Sequence, residues 1–392
     1  MKKNKVRPIA IHLPQFHPFE ENDAWWGKGF TEWTNVTKSK PLFEGHYQPH
    51  LPADLGFYDL RLEESRLEQI ALAKEYGIYG FCYYHYWFNG KLLMQDPIER
   101  MMANPKEDFP FMFCWANENW TRAWDGADRE ILIQQNYSLE DDLAHIQYFI
   151  PFFKDKRYIC IDGKPVIAIY KSADLPEPRE TIRIWREEAL KHGLELYICR
   201  MDRWNTPNGQ EILDLGFDSA IDFQPLSSNL SGYLRGKDQK IREEKAAAIA
   251  YINQSLFRRA KRKVNTIVQK FVPEKSEKDS SIDLRLIDYN EYVEYDLAHL
   301  NIGYKRFPCV TPSWDNAARR KNNATIFLNS TPSIFEKWVK GKKRNFDHFE
   351  SSEENLFFIN AWNEWAEGNH LEPCKKFGLE YLSSLKRGLE DV

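Results

Sequence analysis

Short apolar runs recur along the chain, and amphipathic stretches separate most of them. The runs are VRPIAIHLP (6–14), IYGFCYYHY (78–86), FPFMFCWA (109–116), KPVIAIY (164–170), LELYICR (194–200), FDSAIDFQP (217–225), FPCVTPSWD (307–315) and NLFFINAWNE (355–364). Each is short and rich in β-branched or aromatic residues, as a strand buried on both faces should be. Between them, RLEESRLEQIALAKEYG (61–77) and RETIRIWREEALKHG (179–193) read as helices that stop at a glycine. Strand alternating with helix predicts a parallel sheet, and eight units predict a closed (β/α)8 barrel. An open doubly wound sheet is the alternative, but neither GxGxxG nor GxxxxGK[ST] follows the first run.

Two stretches interrupt the alternation. Residues 15–60 are too polar and too rich in Pro and Gly for a helix, and loops this long are usually functional or disordered. Their many aromatics favour an ordered cover over the barrel mouth. Residues 227–300 form an insertion between the sixth and seventh strands, with a helix expected over 243–271 and an exposed turn at PEKSEKDSS (273–281). The basic cluster Arg258–Lys263 on that helix reads as a solvated face or as a contact with an anionic inner-membrane surface. The expected organisation is one barrel domain over residues 1–392 containing this helical insertion.

Composition fits that outline. The 392 residues suit one large barrel, and 42% hydrophobic content supplies a sizeable core. Aromatic content is 15%, with 13 Trp, and flat rings also make walls on which sugars stack. A net charge of −4 argues against nucleic acid as a partner. The N-terminal apolar run is too short for a signal-peptide core, and no run approaches the roughly 18 residues of a membrane span. The six cysteines have no CxxC spacing and mostly sit in strand-like runs, so they read as reduced, buried thiols of a cytoplasmic protein.

Barrel chemistry sits at the C-terminal ends of the strands. Those ends carry His12 and Gln15; Tyr84, His85, Tyr86 and Trp87; Trp115, Asn117, Glu118, Trp120 and Arg122; Tyr170; Arg200; Gln224; Trp314; and Trp362, Asn363 and Glu364. With Trp33 from the long loop, they make a polar, aromatic rim suited to a glycan. Within INAWNEWAEGNH (359–370), Glu364 and Glu367 are three apart. A straight strand would point them to opposite faces. A turn begun near Glu364 and eased by Gly368 would bring both into one cavity, with Trp362 and Trp365 as apolar walls. Two carboxyl groups, one with a raised pKa, are what chemistry at an anomeric centre commonly requires. The plainer alternative pairs one glutamate with an arginine and leaves the other solvated. Glu118 reads either as a sugar ligand or as an ion pair with Arg122. His12, His17, His46, His50 and His85 lack any tight metal-ligand spacing, so no metal or cofactor is expected. No GxSxG elbow or placed cysteine nucleophile is present, nor a convincing Rossmann-like donor domain.

The segments LPQFHPFEENDAWWGKGFTEWTNV, PLFEGHYQPHLPADLGFYDLR, GIYGFCYYHYWFNGKLL, CWANENWTRAWDG and INAWNEWAEGNHLEP resemble the WbsX-type proteins of bacterial surface-polysaccharide clusters, also described as glycoside hydrolase family 99-like. The resemblance runs from residue 8 to about 385 and implies a (β/α)8 barrel. Family 99 endo-mannosidases and endo-mannanases carry a similar Glu-Trp-x-Glu-Gly stretch, here Glu364 to Gly368. The resemblance implies retention through a 1,2-anhydro sugar, with Glu364 as base on the 2-hydroxyl and Glu367 as acid. Ala366 stands where those relatives often have histidine, and mannose specificity does not carry over. The expected substrate is a surface glycan or its lipid-linked precursor. A glycosyltransferase of O-antigen assembly and a non-catalytic glycan-binding protein remain the alternatives, and oligomeric state is not legible.

Overall fold

The computed structural model describes residues 6–122, 127–204, 206–260, 284–300, 303–320, 323–344, 349 and 351–390. Its centre is a parallel barrel: β1 (Arg7–His12), β2 (Gly80–Phe88), β3 (Phe111–Trp115), β4 (Lys164–Ile169), β5 (Tyr197–Asp202), β6 (Ser219–Asp222), β7 (Arg306–Phe307 and Cys309–Val310) and β8 (Leu356–Ile359). Ala10 of β1 lies level with Phe81 on one side and Ile359 on the other. The ring closes through β7, whose first piece pairs with β6 and whose second pairs with β8. Pro308 divides the two pieces because it has no N–H to donate. Its carbonyl still accepts from the Phe358 amide at 2.9 Å. The predicted barrel is therefore the observed one.

The expected helices appear at Glu63–Glu75 and Pro178–Lys191. Three boundaries differ. β5 runs on to Asp202, while β7 and β8 stop at Val310 and Ile359, short of Asp315 and Glu364. Asn363 and Glu364 leave the barrel because they pair instead with His370 and Asn369 in a separate antiparallel ribbon.

The long loop after β1 holds two helices, Glu20–Trp26 and Glu32–Lys38, which corrects the expectation of none. Spacing explains the second: Trp33 and Val36, three apart, are buried on one face. The Thr31 amide donates to Thr34 Oγ1 at 3.2 Å, and the Glu32 amide donates to the Gln15 carbonyl at 3.1 Å. Trp33 then packs against Trp365 at 5.5 Å, so this segment does cover the barrel mouth. In the insertion, a helix spans Ser228–Ala260, starting well before the expected residue 243. The side chains of the Arg258–Lys263 cluster and the stretch 273–281 lie outside the described residues. All six cysteines are free; five are buried and Cys160 is partly exposed. No helix among the described residues is long and apolar enough to cross a membrane.

Candidate active site

The glutamate pair sits on a short hairpin above β8. Asn363–Glu364 pairs with Asn369–His370, and the turn between them is one 3-10 step, Trp365–Glu367, followed by Gly368 at φ 56°. That backbone favours glycine. A Cβ there would also lie 2.9 Å from Asp315 Cβ and 3.2 Å from its backbone N and O. Asn363 ties the hairpin to the chain after β1: its Oδ1 accepts from the Leu13 amide at 2.7 Å and its Nδ2 donates to the Leu13 carbonyl at 3.0 Å.

The turn places both carboxylates on one guanidinium. Arg319 donates to Glu364 Oε2 at 2.7 Å and pairs with Glu367 Oε1 at 2.9 Å. It also meets Glu32 Oε1 at 2.5 Å, and that same oxygen accepts from the Ala366 amide at 3.1 Å. Glu32 therefore braces both the arginine and the turn. The plainer reading had one glutamate pairing with an arginine; here one arginine holds both. Three carboxylates share this guanidinium, and Arg320 adds a second positive charge near Glu367. Burial pushes Glu364 up to about 8, against the pull of Arg319 and with repulsion from Glu367 and Glu32. Burial raises Glu367 as well.

Beside the pair lies a cleft of about 220 Å³, lined by Glu367, Arg319, Arg320 and Asn316 on one side and by Glu118, Asn119, Trp120, Trp25 and Trp26 on the other. Glu367 keeps 21% of its side chain open, against 7% for Glu364. Trp120 is the central aromatic surface, 5.4 Å from Trp25 and 5.8 Å from Tyr86. Glu118 pairs with Arg203 at 3.0 Å, a partner from the end of β5 that spacing could not suggest; the Arg122 side chain lies outside the described ones. Arg203 in turn stacks over Tyr170 at 4.1 Å, and Tyr170 meets Tyr84 edge-on at 5.8 Å. Of the expected rim, Glu118, Trp120, Tyr170, Tyr84, Tyr86, Glu364 and Glu367 thus gather around this end of the barrel.

The other candidates point elsewhere. His12 is directed outward to Gln69 at 3.1 Å, and burial lowers it to about 4. His85 and Trp87 turn outward to the Leu139–Phe153 helix, where His85 meets His145 at 3.0 Å and Trp87 donates to Asp141 at 2.9 Å. Trp115 packs against His145 and Trp185 in the same layer. Strand alternation explains this: residues 85 and 87 face away from 84 and 86. Asn117 links β3 to β4, donating to the Lys171 carbonyl at 3.0 Å and accepting from its amide at 2.7 Å. Arg200 holds the loop after β5 through Pro207 and Asn208. Gln224 belongs to a buried network with Asp222, Asp296 and Tyr292. Gln15 and Trp362 are buried, Trp362 against Phe81. Trp33 staples the loop, donating to the Tyr58 carbonyl at 2.9 Å. Trp314 lines a different cavity. Sequence reasoning missed Glu32, Arg319, Arg203, Trp25 and Trp26. Glu32 adjoins the chosen Trp33, but Arg319 follows a strand whose true end was misjudged.

A buried acid pair at the C-terminal mouth of a (β/α)8 barrel, beside an indole-lined cleft, has the form of an enzyme site for a stacked, hydroxylated substrate. The family model for glycosyltransferase WbsX matches residues 8–385, so the chain belongs to the WbsX family. It is 37% identical over 383 residues to an uncharacterised protein, WxcX, from two strains of Xanthomonas campestris pv. campestris, covering 97% of this chain and 49% of that protein. The chain thus spans about half the length of the curated relatives it matches. Among solved structures, a glycoside hydrolase-like protein aligns at a TM-score of 0.57 with 14% identity, covering 99% of this chain and 95% of the other. The family 99 endo-α-mannosidase of Bacteroides thetaiotaomicron aligns at 0.53 with 12% identity, covering 98% and 96%. These two likenesses concern the barrel fold.

Proposed function

We propose that this protein is a carbohydrate-active enzyme that works on glycosidic bonds of a bacterial surface polysaccharide or its precursor, through Glu364 and Glu367. The observation that carries the reading is the shared guanidinium: Arg319 holds both carboxylates within 2.9 Å, and Arg319 and Glu367 line a tryptophan-walled cleft. The reaction type, a retaining hydrolysis or transglycosylation through a 1,2-anhydro sugar, is the one that the resemblance to family 99 implies.

The roles are those that the resemblance to family 99 implies. Glu367, the more open of the two, protonates the departing glycosidic oxygen. Glu364 takes the proton of the sugar 2-hydroxyl as O2 attacks the anomeric carbon and the glycosidic bond breaks. Glu367, now ionised, then draws a proton from water or an acceptor hydroxyl, whose oxygen opens the anhydro ring, and Glu364 returns its proton to O2. A base with a pKa near 8 accepts a hydroxyl proton more readily than an ordinary glutamate. Ionising it at pH 7 costs about 1.4 kcal/mol.

The family's description as a glycosyltransferase favours a second reading, in which a sugar is transferred from an activated nucleotide-linked or lipid-linked donor. The test is incubation of the protein with glycans from its own cell surface, with and without nucleotide sugars, followed by mass. Shortened glycans without added donor support hydrolysis. Extension that depends strictly on a nucleotide sugar overturns it in favour of transfer.

A further inference from the structure

A second cavity, of about 190 Å³, lies on the other side of the segment that supports Glu367. Its wall includes Trp314, Asp315, His46, His50, His370, Tyr47, Phe377, Lys376 and Tyr381. Asp315 separates it from the cleft, since the Asp315 amide donates to the Glu367 carbonyl at 2.6 Å. Most polar groups of this wall are already engaged. Asp315 Oδ2 accepts from His46 at 2.7 Å and Gln48 at 2.6 Å, and its Oδ1 accepts from the Ala317 amide at 3.0 Å. His370 bonds His50 at 3.1 Å and the Glu372 carbonyl at 3.0 Å. Ser313 donates to the Gly368 carbonyl, and Asn329 to Asp288.

What remains is a set of donors. Trp314 Nε1 and Tyr381 Oη are buried with no hydrogen-bond partner, and Trp314 is only 2% exposed. A buried polar atom without a partner costs free energy unless something fills the space beside it. Lys376 Nζ lies 4.5 Å from the Tyr47 ring centre and 4.8 Å from that of Phe377, and has no carboxylate partner among the described residues. An indole and an ammonium only donate, and a phenol can donate too. Their complement is an acceptor-rich anion, and the rings of Tyr47, Phe377 and Trp314 suit a saccharide body.

We propose that this cavity is a second ligand site, for a single acidic sugar unit whose anionic group meets Lys376, Trp314 and Tyr381. The inference does not depend on the roles given to Glu364 and Glu367. The test titrates the whole protein with D-glucuronate, D-glucose 6-phosphate, D-glucose and inorganic phosphate, following binding by protein NMR or calorimetry. An acidic sugar should bind at least tenfold more tightly than D-glucose, and Lys376→Met and Tyr381→Phe should each weaken it several-fold. Tighter binding of glucuronate assigns a carboxylate, and tighter binding of the 6-phosphate assigns a phosphate. Because Lys376 is exposed, its variant reads the site without threatening the fold. Equal binding of glucose, equal binding of inorganic phosphate alone, no binding of any probe, or indifference to both variants would overturn the proposal.

Discussion

Replacing Glu364 by Gln should strengthen the fold at alkaline pH while removing its chemistry. Glu364 is 5% exposed and shares Arg319 with Glu32 and Glu367. Burial raises it from an ordinary 4.5 to about 8. That rise corresponds to roughly 5 kcal/mol in favour of the protonated form. Between those pH values the folded protein holds a proton that the unfolded chain releases. The folded state therefore binds more protons, and its stability falls as pH rises through this window. The contribution is complete below about 4.5 and gone above about 8. Glutamine keeps the shape and carries no charge, so the variant escapes this loss. Effects common to both proteins cancel in the difference. Urea unfolding at intervals from pH 5 to 9 should show near-equal stability at pH 5. At pH 9 the variant should lead by about 2–4 kcal/mol, less than the full amount because Arg319 then has one fewer charged partner. A difference that stays flat from pH 5 to 9 would refute a buried, proton-holding Glu364.

Trp120→Ala removes the central ring of the cleft and should raise KM for the glycan about tenfold, roughly 1.4 kcal/mol, with a smaller effect on kcat in steady-state assays. Gly368→Ala must place a Cβ 2.9 Å from Asp315 in a left-handed backbone, so melting should report a loss of about 2–3 kcal/mol together with reduced turnover. Trp87→Phe strips the donor from Asp141 in the outer layer and should cost about 1–3 kcal/mol of stability, while kcat/KM at permissive temperature stays unchanged.

The barrel was readable because a parallel strand covered on both faces leaves a short, continuous apolar run, and eight such runs are hard to arrange otherwise. Site residues were less readable, for particular reasons. Along β2 both faces are aromatic, so YYHYW cannot say that Tyr84 and Tyr86 turn inward while His85 and Trp87 meet a helix. Asn363 resembles a sugar ligand, yet its amide serves the backbone of Leu13 from the far end of the chain. Arg319 has no local signature at all. It matters because the Glu32–Lys38 helix and the Glu364–Glu367 hairpin, distant in sequence, converge on it. The turn at Gly368 was the legible part, since a glycine four residues past Glu364 permits the reversal that two carboxylates on one side require.

The claim that Glu364 and Glu367 divide base and acid work on a glycosidic bond is tested most directly by comparing the wild type with Glu364→Gln and Glu367→Gln on a glycan from the organism's own surface, with turnover and binding measured on the same samples. Each variant should lose at least about 100-fold in turnover and keep glycan affinity within a few-fold. Near-wild-type turnover in either variant would contradict the account.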